Sequence, residues 1–227
     1  MKKTFKMYVN VVFILSVSIA LFSMAFNFYL VRKVNSYVTY SESLNKKYSK
    51  LQNELESTLK LLNFYLDVQR ISELIEQFDT QYSKYTITDI AYSIVEESAK
   101  NNLDPYLMLA IIKTESSFNY KSVSRKGAIG LMQLLPDTAY YISEKVDDLF
   151  VENKKEIFDP VTNIRLGINY YNYLLSKFNG NEEVAIAAYN LGPRNIYKYL
   201  GRGRRIPKFY YYKVMQNYAE LTAQIKS

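Results

Sequence analysis

The feature that most limits what this chain can fold into is a mainly apolar run from Met7 to Val31, set behind the basic start MKKTFK. As a helix rising 1.5 Å per residue, a run of about 25 residues spans roughly 37 Å, enough for a hydrocarbon core of about 30 Å with some tilt. Asn10, Asn27 and several serines dilute the run without interrupting it. Lys2, Lys3, Lys6 and the amino terminus precede it, against Arg32 and Lys33 behind it. That bias favours the N-terminus inside and the remainder outside. A cleaved signal peptide is the rival reading, because Ser23-Met24-Ala25 fits a small-x-small cleavage site. The apolar run continues six residues beyond it. Residues 1–33 are therefore expected to be an uncleaved single-pass anchor in the cytoplasmic membrane, and under either reading the rest of the chain is exported.

Residues 34–85 read as a helical stalk. From Val34 to about Thr80 there is neither Gly nor Pro, and Leu44, Tyr48, Leu51, Leu55, Thr58, Leu62 and Tyr65 follow at steps of four and three. That is the spacing of a heptad seam, with Lys46, Lys47, Lys50, Glu54 and Glu56 on its flanks. A self-associating coiled coil and a single helix lying against the next domain both fit. The polar stretch Gln81–Thr86 marks the boundary to a third segment, 86–227.

This last segment patterns as a string of short helices with no sustained strand alternation, so a mainly α domain with its own core is expected. Thr86 and Asp89 have the spacing of a capping box, before a helix with Ile90, Ile94, Val95 and Ala99 inward. Asn101-Asn102 ends that helix, and Asp104-Pro105 opens the next, PYLMLAIIKTESSF. Further helices are expected after Pro136 with Asp137 as cap, from Asp159-Pro160 to about Phe178, from Asn181 to Tyr189, and from about Lys208 to Ile225. Gly192-Pro193 reads as a stop.

Composition narrows the chemistry. The chain has no Cys and no His. Disulfides, lipidation at cysteine, His/Cys metal sites and Ser–His or Cys–His catalysis are thereby excluded. No cofactor and no metal are expected, and an enzyme built from this sequence must use carboxylates, Lys, Tyr or hydroxyls. With 23 Tyr and no Trp, ring stacking falls to Tyr or Phe. The formal charge of +7 fits an anionic partner without choosing one.

Glu115 is the candidate acid. It sits near the C-terminal end of an apolar helix, where the helix dipole and the apolar neighbours Ile111, Ile112 and Phe118 both disfavour a carboxylate and raise its pKa. A protonated carboxyl group at neutral pH is what a general acid needs; a surface Glu at a helix end is the plain alternative. The following loop is rich in hydroxyl and basic groups (Ser122, Ser124, Arg125, Lys126) and carries the first glycines of the chain, Gly127 and Gly130. Gln133, among Leu131, Met132, Leu134 and Leu135, needs a hydrogen-bond partner that either a sugar or the loop backbone can supply. Tyr189 is placed either in the same cleft or in the core. Arg194, Lys198, Arg202, Arg204, Arg205, Lys208 and Lys213 lie in a stretch with no acid between Glu183 and Glu220. The export segment argues against nucleic acid and for an anionic wall polymer, with a solvated loop as the alternative.

Four segments in order, ES at 115–116, GAIGLMQLLP at 127–136, DPVTNIRLGINYY at 159–171 and AAYNLGP at 187–193, carry a resemblance. Over roughly Ile87 to Tyr218 the chain resembles the lytic transglycosylases of the soluble-type (SLT) catalytic domain, a lysozyme-like fold. The resemblance implies that Glu115 is the single catalytic acid/base and that Ser124, Gln133, Tyr189 and Asn190 meet substrate, with Ser116 and Tyr210 beside them. It implies cleavage of the β-1,4 bond between N-acetylmuramic acid and N-acetylglucosamine of peptidoglycan, with the muramyl 6-hydroxyl attacking C1 to leave a 1,6-anhydro end. Hydrolysis on the same fold, and a wall-binding scaffold without catalysis, are the competing readings. The sequence departs from the family near its end. Ile206 falls where an acid is common, and Leu135 and Leu191 replace Met and Ala.

Overall fold

The computed structural model describes residues 1–78 and 82–225, without the side chains of Lys84 and Tyr85. Gln81, at the expected stalk boundary, lies outside the described residues. Two units separate, Met1–Lys60 and Leu61–Ser227. The first unit is helical almost throughout, as part of helix α1 (Lys2–Glu76), and its side chains are exposed. Its N-terminal part is long and apolar enough to cross a membrane, judged by length and composition.

The second unit begins at Leu61, well before the expected boundary at 86. Val68, Ile71, Leu74 and Ile75 of α1 are buried in its core, and Phe64 packs against it. These residues recur at steps of four and three, but on a different face from the seam: Leu62 and Tyr65 stay exposed. The end of α1 is tied in further by Asp67, which accepts a 2.7 Å hydrogen bond from the Tyr106 hydroxyl. The stretch read as stalk therefore ends as a core helix of the second unit.

The rest of that unit comprises α2 (Lys84–Lys100), α3 (Pro105–Ser116), α4 (Pro136–Ser143), a 3-10 turn (Glu156–Phe158), α5 (Pro160–Lys177), α6 (Glu182–Leu191), α7 (Pro193–Gly201) and α8 (Phe209–Ile225). Among the described residues there is no strand, only isolated bridges pairing Ile129 with Val123 and with Leu134. The mainly α expectation holds.

Several helix starts fall where expected. At them Asp104 caps α3, Asp159 caps α5 and Asn181 caps α6, each accepting a backbone N–H from the first turn. Other expectations are corrected. Ser83, not Thr86, caps α2, accepting from Thr86 N–H. Asp137 does not cap α4; Leu135 holds that place without a side-chain bond, and Asp137 lies in the first turn. On α2, Ile90, Ile94 and Val95 are buried as expected, but Ala99 is exposed and Glu97 and Ser98 are buried instead. Gly192-Pro193 does stop α6 at Leu191, as expected, but the chain turns there into a further helix that the pattern had not suggested. Pro193, fixed near the helical φ and lacking a donor the first turn would leave unused, starts α7.

Helix α5 runs through the core, with Ile164, Leu166, Ile168, Tyr171 and Leu174 buried. It touches α2, α4 and α6, while α3 lies along α8. Gly167 is what lets the Gly130–Met132 segment approach it, since a Cβ there would stand 2.7 Å from the Met132 Cβ.

Candidate active site

Glu115 occupies the penultimate position of α3, on a helix whose residues from Leu107 to Ile112 are all buried. The helix ends abruptly: Ser117 and Phe118 both adopt positive φ, +50° and +64°. That turn is held from outside by the Tyr82 hydroxyl, which donates to the Phe118 carbonyl at 2.9 Å, and by the Phe78 ring against Phe118. Glu115 is thus fixed at the last rigid point before the loop of residues 117–135.

The partner of Glu115 comes from α8. The Tyr210 hydroxyl donates to Glu115 Oε1 at 2.5 Å. This contact depends on the register of α8 along α3, which further cross-links hold: Tyr218 Oη to Asp104 Oδ2 at 2.6 Å, Asn217 Nδ2 to Thr114 Oγ1 at 2.8 Å, and Lys113 to Glu220 at 2.9 Å. Burial pushes the Glu115 carboxyl up, while the Tyr210 hydrogen bond and the Lys213 charge pull it partly back; the net direction is up. Burial and the Glu115 charge also push the Tyr210 phenol far above its ordinary range. It stays protonated and remains a donor.

Tyr189, on α6, is buried and donates to the Met132 carbonyl at 2.9 Å. Burial comes first in raising its phenol, then the Glu115 charge, which places α6 at the same site. Its ring begins a row of tyrosines: Tyr189 to Tyr170 at 5.3 Å, Tyr170 to Tyr173 at 6.4 Å, and Tyr173 to Tyr141 at 5.5 Å between ring centroids. The row runs from buried Tyr189 to exposed Tyr141.

The loop between α3 and α4 is organised by polar side chains. Ser124 Oγ accepts from Ala128 N–H at 3.0 Å, and the Ser124 N–H donates to the Ala128 carbonyl at 2.9 Å. Gln133, at φ +49°, donates through Nε2 to the carbonyls of Ser122 and Gly130 at 3.1 and 2.9 Å. Its amide nitrogen therefore serves the loop backbone, leaving Oε1 as an acceptor. Beneath the loop lies Asn163 of α5, fully buried. Its Oδ1 accepts from Met132 N–H at 2.7 Å, and its Nδ2 donates to the carbonyls of Ile129 and Ile157 at 3.0 and 2.9 Å. Gly130 has φ +80°, and a Cβ there would overlap the Asn163 amide.

Of the residues singled out from sequence, the structure brings Glu115, Tyr189 and Tyr210 into one electrostatic cluster and ties Gln133 to it through the Met132 segment. Among the described residues, no hydrogen bond links Ser116, Ser124 or Asn190 to that cluster. Ser116 donates back to the Ile112 carbonyl at 3.3 Å, and Asn190 is exposed at the end of α6. Ile206 packs against the core. Sequence reasoning missed Asn163, and it placed Lys213 in a basic surface stretch rather than near Glu115. Asn163 had a readable signal, an amide on the buried stripe of the helix after Asp159-Pro160; the charge of Lys213 on Glu115 had none.

A family model described as "Transglycosylase SLT domain" matches residues 93–211, just over half of the chain. The chain belongs to this family. The soluble lytic murein transglycosylase of Escherichia coli (strain K12) is 37% identical over 93 residues, 41% of this chain and 14% of that protein. Membrane-bound lytic murein transglycosylase C of Histophilus somni (strain 2336) is 35% identical over 107 residues, 44% of this chain and 30% of that protein. Among solved structures, an inactive mutant of lytic transglycosylase Slt from Pseudomonas aeruginosa is 31% identical with a TM-score of 0.47, over 57% of this chain and 21% of that one. The chain spans less than a third of the length of each of these relatives. The SLT match contains Glu115, Gln133, Tyr189 and Tyr210, the residues gathered around the candidate site.

Proposed function

We propose that this SLT-domain chain is a lytic transglycosylase that cleaves the β-1,4 bond between N-acetylmuramic acid and N-acetylglucosamine in peptidoglycan. The observation that carries the reading is Glu115 itself: a carboxyl raised by burial, held by a phenol donor, inside the SLT match. As the acid, Glu115 gives its proton to the glycosidic oxygen while the bond from that oxygen to the muramyl C1 breaks. As the resulting carboxylate, it takes the proton of the muramyl 6-hydroxyl, whose oxygen closes on C1. Glu115 ends protonated, the product ends in 1,6-anhydro-muramyl, and no water is consumed.

Tyr210 steadies the carboxylate between the two transfers, Gln133 Oε1 offers an acceptor to a sugar hydroxyl or amide, and Ser116, Ser124 and Asn190 line the approach. The tyrosine row from Tyr189 to Tyr141 offers rings on which sugars can stack. Hydrolysing glycosidases place a second carboxylate roughly 5–9.5 Å from the first. Among the described residues, the groups that act on the Glu115 carboxyl besides its burial are a phenol and a lysine, which favours the intramolecular route over a muramidase.

The apolar part of α1 serves as a single-pass anchor in the cytoplasmic membrane, N-terminus inside, so that the catalytic unit meets the wall outside. The exposed heptad residues between Leu44 and Leu62 provide a surface for self-association. Mass spectrometry of sacculi digested by the full chain in detergent tests the reaction. Anhydro-muramyl ends are expected; reducing muramyl ends alone would replace the transglycosylase by a hydrolase, and intact sacculi would leave a binding protein.

A further inference from the structure

Helix α7 and the turn behind it line a concavity of about 240 Å3, bordered by Leu191, Asn195, Lys198, Tyr199, Arg202 and Arg204. Its frame is hydrogen-bonded throughout. The N–H groups of Arg202 and Arg204 both donate to the Tyr199 carbonyl (3.2 and 2.9 Å), Gly203 N–H donates to Leu200, and Asn195 Nδ2 donates to the Leu191 carbonyl at 2.7 Å. The turn needs Gly203 at φ +60°. Lys198, Arg202 and Arg204 are thus presented by an ordered corner.

None of these three cations forms an ion pair among the described residues. No Asp or Glu occurs anywhere in residues 184–219. Unopposed charge on a concave wall concentrates positive potential and selects an anion. Two guanidinium groups suit a planar, two-oxygen acceptor such as a carboxylate. The volume falls below the range of about 300–1,000 Å3 usual for whole small molecules, so the cleft fits one acidic group of a larger ligand. Leu191 on its rim is the last residue of α6, the helix that carries Tyr189, so the cleft belongs to the same domain as Glu115.

We propose that this cleft receives a free carboxylate of the peptide branch carried by the muramyl sugars, so that the domain reads the peptide as well as the glycan. The proposal rests on the peptidoglycan reading above. A phosphodiester wall polymer is the competing anion, but its regularly spaced charges call for an extended cationic track rather than one small corner.

The test uses the full chain in detergent and three glycan preparations: peptide branches intact, branches with their carboxylates amidated, and branches removed. Equilibrium binding and KM are measured for the wild type and for K198Q/R202Q/R204Q. Loss of charge-assisted hydrogen bonds predicts that wild type favours intact strands over both others by about tenfold or more in Kd and KM, with kcat alike. The triple variant, with an unchanged circular-dichroism melt, should treat all three strands alike and match wild type on stripped strands. Equal wild-type affinity for intact and amidated strands overturns the proposal. So does an equal loss on stripped strands, which would mark a contact to glycan. Tighter, variant-sensitive binding of poly(glycerol phosphate) overturns it in favour of a phosphate site. Binding reads the cleft even if no strand is cleaved, so failure of the transglycosylase reading remains distinct.

Discussion

Glu115→Gln is the most discriminating perturbation, because it removes the titrating proton and little else. Gln has the same shape, and its Oε1 can still accept the Tyr210 hydroxyl now 2.5 Å from Glu115. General acid–base catalysis contributes about 10²–10⁴-fold. At 1.36 kcal/mol per decade, that is about 2.7–5.4 kcal/mol of barrier. The upper end applies, since one carboxyl group performs both proton transfers. Stability should move the other way. Burial outweighs Tyr210 and Lys213 and raises the folded-state pKa above the ordinary value of 4.5. The folded protein then holds its proton more tightly than the unfolded chain. This contribution to stability is complete below pH 4.5 and is lost as pH rises through the folded pKa. Gln has no such loss. The variant should therefore melt above wild type at neutral pH, with the difference shrinking as pH falls towards 4.5. Muropeptide release from sacculi gives kcat and KM, and thermal melts between pH 4 and 8 give the second reading. Activity within tenfold of wild type would refute the assignment. Lost activity with lower stability at every pH would make Glu115 a structural residue.

Tyr210→Phe removes the donor that favours the Glu115 carboxylate, so the alkaline limb of the kcat/KM profile should shift to higher pH; a pH–rate series checks the direction. Asn163→Ala strands the Met132 N–H and the carbonyls of Ile129 and Ile157. At about 1–3 kcal/mol for each buried group left unpaired, a loss of about 3 kcal/mol or more in urea unfolding is expected, together with reduced activity. Glu97→Ala breaks a buried network in which Glu97 accepts from Arg165 Nε at 3.1 Å, Asn169 at 3.0 Å and Lys100 at 3.0 Å. It should destabilise by roughly 3–5 kcal/mol, while the rate per folded molecule, measured well below the melting temperature, stays at the wild-type value.

These residues also show which parts of the molecule are legible in sequence. Capping by Asp104, Asp159 and Asn181 is local: a short polar side chain meets N–H groups two or three residues on, so the pattern fixes the helix start. The exposure of Glu115 to apolar neighbours is nearly as local, because Ile111, Ile112 and Phe118 lie within one turn. Long-range choices are not written that way. Gly192-Pro193 reads as a stop, which it is for α6, but the start of α7 at Pro193 goes with the packing of Ile196 into the core. The heptad steps of 44–65 predict a seam, yet core burial selects Val68, Ile71 and Ile75 from a neighbouring face. Ala99 and Glu97 exchange expected places because α5 brings Arg165 and Asn169 to Glu97, a partnership 68 and 72 residues away in sequence.

The same argument bears on the sequence departure at Ile206. Whatever group stands beside Glu115 sets how readily it ionises. A second carboxylate there would repel the Glu115 charge and raise its pKa further. In this chain Ile206 packs against the core, and the group that bonds Glu115 is the Tyr210 phenol, which acts in the opposite sense. A phenol that cannot ionise at working pH donates to the carboxylate without adding charge. It strengthens the base needed for the second proton transfer, while burial preserves the acid needed for the first. One carboxyl group can serve both steps only if these two influences are balanced. That balance depends on the register of α8 on α3, set by Asp104–Tyr218, Thr114–Asn217 and Lys113–Glu220. A change at Asp104, Asn217 or Glu220 should therefore reach the chemistry through the position of Tyr210, by moving the pH profile before it lowers the maximal rate.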